Sequence, residues 1–290
     1  METNNHMNTT RLTLRILGIG LVVLISACAS VERLAIPKAK LLDGTLAQSG
    51  VQEEPKHDVW GRFLKRYLRV DSKGFGRLAY AEVSVDDKTA LDAYIATLAA
   101  LGATSLSRNA QLAYWSNLYN AKTVAVVLNH YPVASIRNIK DGVLDLGPWE
   151  EKRLIVNGIA LSLHNIEHGI VRPLWPNTPE IHYLLNCAAL GCPSLVDYAY
   201  EESNVEESLS KNASRFINSE RGVAVDESGR LVLSKIYAWY LSDFGGSKKK
   251  LIQHLEKYAD AATQDKIVRH GGAIRYAYDW SLNEAKDLNP

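Results

Sequence analysis

The sequence predicts an α+β domain in which a largely antiparallel sheet packs against helices. Three observations point there. Several stretches repeat apolar residues at helical spacing. Two pairs of alternating stretches flank Asn-Gly and Ser-Gly turns, as hairpins do. No strand-helix unit recurs, which argues against a parallel α/β sheet.

In chain order, HDVWGRFLKRYL (57–68) spaces Trp60, Phe63, Leu64 and Tyr67 as one helical face. DDKTALDAYIATLAALG (86–102) reads as a helix capped by Asp86 or Asp87 and closed by Gly102. The strongest helix runs from about Arg108 to His130 and is ended by Pro132; apolar residues cover nearly its whole girth, which predicts burial. A short hairpin follows over 153–163 around Asn157-Gly158, then a brief helix over 164–172 and a strand over 180–187. An amphipathic helix spans 204–220 and a second hairpin 222–237 turns at Glu227-Ser228-Gly229. Helices at 247–258 and 260–267 precede a last strand within 273–282. No internal repeat or linker interrupts 57–290, so one domain is expected.

The N-terminus carries an address. Arg11 and Arg15 precede the apolar run Ile16 to Ala27, which ends in Leu24-Ile25-Ser26-Ala27-Cys28. Basic residues, a short apolar core and small residues before a cut mark a secretory signal over 1–27. Twelve apolar residues are too few to span a bilayer core of about 30 Å. The Ile-Ser-Ala-Cys ending resembles a bacterial lipobox, which implies cleavage before Cys28 and its acylation; several acyl chains together anchor a protein durably. Ala29 after that cysteine points to outer-membrane sorting, with the domain facing the periplasm. Residues 28–56 then read as a lipidated tether.

Removing 1–27 lowers the basic residues from 33 to 31 and the acidic ones from 32 to 31, leaving a formally neutral chain. Such a chain has no basic field to draw nucleic acid. No cofactor is expected.

Chemistry-bearing residues gather in three places. On the long helix Asn117 and Asn120 stand three residues apart, with Tyr114 one turn back. A buried amide without partners costs a few kcal/mol, on the order of 2, so these side chains either tie down neighbouring loops or line a pocket. His164-Asn165-Ile166-Glu167-His168 matches H-x-x-E-H, the inverted zincin pattern. A zinc hydrolase would need a third ligand from elsewhere, with Asp243, His254 and Glu256 as the available residues. Finally, HYLLNCAALGCPSL (182–195) holds Cys187 and Cys192, the two cysteines left once Cys28 is lipidated.

In an oxidising compartment that pair tends towards a disulfide. Closing so short a loop contributes only about 2 kcal/mol, so it would shape the turn more than stabilise the fold. The alternative is a nucleophile. Strand alternation sets His182 and Cys187 on opposite faces, which leaves His168 as the better base. Glu167, Asn117 or Asn186 would then orient it. A redox role is disfavoured by spacing, since C-x-x-x-x-C lacks the tight C-x-x-C of thioredoxin-like motifs. Lys248-Lys249-Lys250 reads as a solvated face.

RNAQLAYWSNLYNAKTV, SIR at 135–137, LSLHNIEHGIVRP, EIHYLLNCAALGCPSL, LSKIYAWYLSDFGG and YDWSLN at 278–283 occur together and in order. This set resembles the domain-of-unknown-function 547 family over about 57–290. The resemblance implies shared positions at Asn117, Asn120, Glu167, His168, Arg172, His182, Asn186, Cys187, Cys192 and Pro193, and supplies no settled activity. His164 stands where relatives do not require histidine, and Gly191 where many carry serine. The family includes intracellular members, which implies that a disulfide is not a condition of folding.

The expectation is therefore a lipid-anchored envelope protein acting as a thiol-dependent hydrolase or acyl transferase. Its arrangement would be papain- or transglutaminase-like. Cys187 is the nucleophile, His168 the base, and Glu167 or Asn117 orients the base. Backbone N–H groups at 186–188 receive an oxyanion. Asn120, Arg172, His182, Asn186 and Cys192 are further pocket candidates, and no bound metal is expected. The alternative is a non-catalytic binding or scaffold module with a Cys187–Cys192 disulfide.

Overall fold

The computed structural model describes residues 53–139, 148–152, 154–269, 272 and 274–286. The expected signal segment and Cys28 lie outside them.

Helix α1 (Asp58–Tyr67) buries Trp60, Phe63, Leu64 and Tyr67, the stripe that the spacing predicts. Just before it, Pro55 and His57 are buried and the Glu54 carboxylate accepts the Glu202 N–H at 2.7 Å. The last residues of the expected tether therefore pack on the domain. Strands β1 (Leu68–Val70) and β2 (Gly76–Leu78) pair antiparallel.

Helix α2 (Val85–Leu101) is capped by Ser84, whose hydroxyl accepts the Asp87 N–H, rather than by Asp86 or Asp87. Both aspartates fall in its first turn, where negative charge suits the helix dipole. Helix α3 (Arg108–His130) is capped by Ser107 and buried on all sides over Ala110 to Ala121. It is the axis of the larger core, which also gathers Trp60, Leu91, Ile136, Ile170 and Leu195. Tyr114 donates to the Leu98 carbonyl at 2.7 Å and locks α3 to α2.

Hairpin β3 (Leu154–Val156) and β4 (Ile159–Leu161) turns at Asn157-Gly158, with φ values of 50° and 76° that this residue pair tolerates. A π-helical turn over Asn165–Val171 continues into an α-helical turn over Arg172–Leu174.

The expected strand over 180–187 does not form. Pro179–Tyr183 is a 3₁₀ turn and the chain then runs irregularly to Cys187. Two forces decide this. Pro179 fixes a helical φ at the start of the turn. Asn120 then supplies what a neighbouring strand would: its amide donates to the Leu184 carbonyl and accepts the Asn186 N–H, each at 2.8 Å. The segment is thus satisfied and buried without a ladder. The alternation that set His182 apart from Cys187 loses its basis.

Helix α4 (Val205–Ile217), strands β5 (Val223–Val225) and β6 (Leu231–Ser234) and helix α5 (Lys235–Trp239) follow. With helix α6 (Lys248–Tyr258) and helix α7 (Ala261–Arg269) they enclose a second core of Phe216, Tyr237, Phe244, Leu251, Leu255 and Ile267. Strand β7 (Ile274–Ala277) adds to β6 in parallel. The fold class is α+β. Among the described residues, however, the strands make three small sheets instead of one, antiparallel except for the β6–β7 pair. Among the described residues no helix is long and apolar enough to cross a membrane.

Candidate functional site

Cys187 and Cys192 form a disulfide. The loop it closes is held independently of that bond. The Asn186 side chain accepts the Ala188 N–H at 2.9 Å and donates to the Pro193 carbonyl at 2.7 Å. Arg221 donates to the carbonyls of Leu190 and Cys192 and to the Ser194 hydroxyl. From the other side the C-terminal segment bonds it: Leu190 to Ser281, Gly191 to Asp279, and Asn283 to Ala188. Gly191 is required by close approach, because a Cβ there would lie 2.8 Å from the Asp279 nitrogen and the Tyr278 ring. We expect Gly191→Ser to cost about 1–3 kcal/mol through overpacking, read as a lower thermal midpoint with an altered near-UV aromatic signal.

Cys187 is partly exposed and Cys192 only 5% exposed. The Tyr278 hydroxyl donates to Cys192 Sγ at 3.1 Å and lies 3.1 Å from Cys187 Sγ. The Cys187 N–H points at Cys192 Sγ at 3.0 Å. The three main-chain donors that would receive an oxyanion are all engaged: Asn186 to Asn120, Cys187 to Cys192, Ala188 to Asn186.

The base assigned to His168 meets a physical obstacle. Arg172 Nη1 stands 3.2 Å from His168 Nδ1. A guanidinium only donates, so that nitrogen must be the acceptor and the neutral ring carries its proton on Nε2. Burial pushes the imidazole down to about 4, against the Glu167 charge that would raise it. At neutral pH it is a proton donor with its lone pair occupied, not a general base.

Arg172 also makes two bonds to Asp243, at 2.7 and 3.2 Å, and Asp243 accepts from His182 at 2.9 Å. Burial would raise the Asp243 carboxyl, but His182 and Arg172 hold it far below the usual carboxylate range. The Tyr240 ring stacks on His182 at 4.1 Å and lies under the Arg172 guanidinium at 4.8 Å. This buried network joins the π-turn to the segment after α5.

Glu167 accepts from the Tyr119 hydroxyl at 3.0 Å and from Tyr240. Burial would raise its carboxyl; the nearby histidines and these hydroxyls outweigh that and hold it below the usual range. The Glu167 charge also bears on the Tyr278 phenol, which links the carboxylate to the sulfurs.

The structure thus brings Glu167, His168, Arg172 and His182 together, with Cys187 and Cys192 joined to them through Tyr278. It does not bring Asn117 to them as an orienting group. Both ends of that amide hold the Tyr200 main chain, at 2.7 and 3.1 Å. Asn120 and Asn186 are likewise main-chain ties, as shown above. His164 pairs with Glu150 at 3.0 Å, and His254 meets the Tyr183 hydroxyl at 2.9 Å. Among the described residues no group of three or more His, Cys, Asp or Glu could hold a metal ion.

Sequence reasoning missed an aromatic wall beside this network. Three of the six tryptophans, Trp60, Trp115 and Trp175, are core. The others, Trp149, Trp239 and Trp280, are only partly buried; Trp239 and Trp280 meet Tyr278 and each other, and Trp149 meets Trp280, with ring centroids 4.6 to 5.8 Å apart. The rings incline to one another by 38° to 64°, and Arg137 lies over Trp280 at 5.0 Å. The tryptophan-bearing motifs AWYL and YDWSL were the available signal, but nothing local says that they converge.

Residues 103–217 match the family model described as "Protein of unknown function, DUF547". That is narrower than the 57–290 span over which the motifs resemble the family. No curated protein and no solved structure matches the chain. From α3 through the cysteine loop to α4, the chain carries a DUF547-like domain.

Proposed function

We propose that this chain is a lipid-anchored module of the bacterial envelope that binds an envelope peptide rather than cleaving one. Acylated Cys28 would hold it to the outer membrane, facing the periplasm. One observation carries the reading: Cys187 is bonded to Cys192. The groups that a thiol hydrolase or acyl transferase would need around Cys187 also have other partners, as the bonds of His168 and of the 186–188 main chain indicate.

What stays open is the aromatic wall, with the Glu167 carboxylate near enough to Tyr278 to act on its phenol. Partly exposed, mutually inclined rings favour a cationic group, since their faces are negative and an ammonium over them gains roughly 0.5–2 kcal/mol. Glu167, held ionised, adds attraction of the same sign. The ligand that suits both is a peptide with a free ammonium group, as the diamino acid of a peptidoglycan stem provides.

The test is a titration of tryptophan fluorescence with a lysine-containing stem tripeptide. Binding should weaken roughly tenfold, about 1.4 kcal/mol, in Trp280→Ala, and equally for the side-chain-acetylated peptide. Alongside it, a thiol-alkylating reagent should leave Cys187 unlabelled in native, unreduced protein. Ready native labelling, or cleavage of the peptide, would favour the hydrolase and end this reading.

A further inference from the structure

We propose that Cys187–Cys192 is an exchange-active pair, in which an external thiolate attacks Cys187 and Cys192 departs. This goes beyond ligand binding but rests on the disulfide form assigned above. Four features of the loop support it.

The two sulfurs are unequal in access. Cys187 is partly exposed beside the aromatic wall, whereas Cys192 is 5% exposed beneath the loop. An incoming thiolate therefore meets Cys187 first, and attack from outside breaks the bond in one direction.

The buried sulfur is furnished to carry the charge. Two donors converge on Cys192 Sγ, the Cys187 N–H at 3.0 Å and the Tyr278 hydroxyl at 3.1 Å. Burial keeps the Tyr278 phenol far above its ordinary range, so at neutral pH it can only donate. A thiolate that is stabilised in place is a better leaving group, and exchange is faster for it. Nearby, Arg221 donates to the Cys192 carbonyl at 3.0 Å and places a cation beside the same turn.

The loop does not depend on the bond. Asn186, Arg221 and the 279–283 main chain hold both ends, so the sulfurs stay adjacent when reduced. The bond itself closes a short ring, so it removes little chain entropy from the unfolded state. A structural cross-link would have little reason to be sited where the turn is already fixed.

The reaction balances without a further oxidant. A client thiolate forms a bond to Cys187 Sγ; the Cys187–Cys192 bond breaks and its electron pair goes to Cys192 Sγ. A second thiolate of the same client attacks the client sulfur in the mixed disulfide, and Cys187 leaves as thiolate. The client dithiol ends as a disulfide, and the protein pair, having taken two electrons, ends as a dithiol. The substrate class is a peptide or protein bearing two neighbouring thiols.

The test begins with full-length mature protein weighed intact; a pair that is reduced, and that glutathione disulfide does not oxidise, overturns this proposal, whereas peptide binding is read separately by titration. The protein is then held in glutathione buffers of graded reduction, acid-quenched and weighed. The pair should equilibrate within minutes, and Tyr278→Phe should slow this about tenfold. Incubated with glutathione disulfide, Cys192→Ser should acquire the adduct on Cys187 at least tenfold faster than Cys187→Ser acquires it on Cys192. A wild-type pair still oxidised after hours in reducing glutathione overturns the proposal, as do equal adduct rates in the two folded variants. Peptide titration of the same samples reports independently on binding.

Discussion

Acidification is expected to weaken this domain before most of its carboxylates titrate. His57 and His168 are buried, and burial depresses each imidazole from 6.5 to about 4. His57 has one ring nitrogen 2.6 Å from the Tyr94 hydroxyl, and the other buried without a hydrogen bond. The unfolded chain protonates these rings near 6.5 while the folded one does not, so between 6.5 and 4 the unfolded state binds more protons. Their contribution is therefore intact above pH 6.5, falls as the pH drops towards 4, and is constant below. At about 1.4 kcal/mol per pKa unit each ring contributes about 3 kcal/mol, and the two together rival the 5–15 kcal/mol that holds a typical domain. Burial pushes His254 in the same direction. Urea unfolding at pH 7 and pH 5, followed by tryptophan fluorescence, should show a loss of about 2 kcal/mol per ring by pH 5. His57→Gln should flatten that dependence. Equal stability at the two pH values would refute the neutral, buried state of these rings.

Asp243→Ala should be the most damaging single substitution in the network. The Arg172 side chain is 1% exposed and that of Asp243 5%. Removing the carboxylate leaves a buried guanidinium without its bidentate partner and takes the acceptor from His182. Breaking a buried pair in this way costs about 3–5 kcal/mol, or roughly 10 °C in thermal midpoint for a domain of this size. Replacing both members, as in Arg172→Leu with Asp243→Leu, should recover part of the loss, because no charge is then stranded. Calorimetry of the three proteins checks both statements. If Asp243→Ala melts with the wild type, the pair does not join the two cores.

The Arg172–Asp243 pair lies beyond the reach of the residue order alone. Arg172 and His182 were recognisable as site residues, but Asp243 was only one loose candidate for a metal. Its role depends on a partner 71 residues away. Glu167 was recognised as well, whereas the Tyr119 and Tyr240 hydroxyls that hold its charge lie on α3 and just after α5 and carry no local mark. The burial of the helix that bears Asn117 and Asn120 is legible in its apolar girth, and with it the need of both amides for partners. Which partners they found is not.

What the residue order determined by itself is local. The stripe of Trp60, Phe63, Leu64 and Tyr67 made α1, unbroken apolar girth buried α3, and Asn157-Gly158 turned the first hairpin. Each rests on forces that act within a few residues, namely side-chain periodicity and backbone preference. Tertiary structure decided the rest. Asn120 replaced a strand partner and so turned 180–187 away from a ladder. Arg172 fixed the His168 tautomer, and the C-terminal segment brought Tyr278 and Trp280 to the cysteine loop. Those outcomes depend on which distant donor, acceptor or ring arrives at a buried group, and only the packed chain sets that.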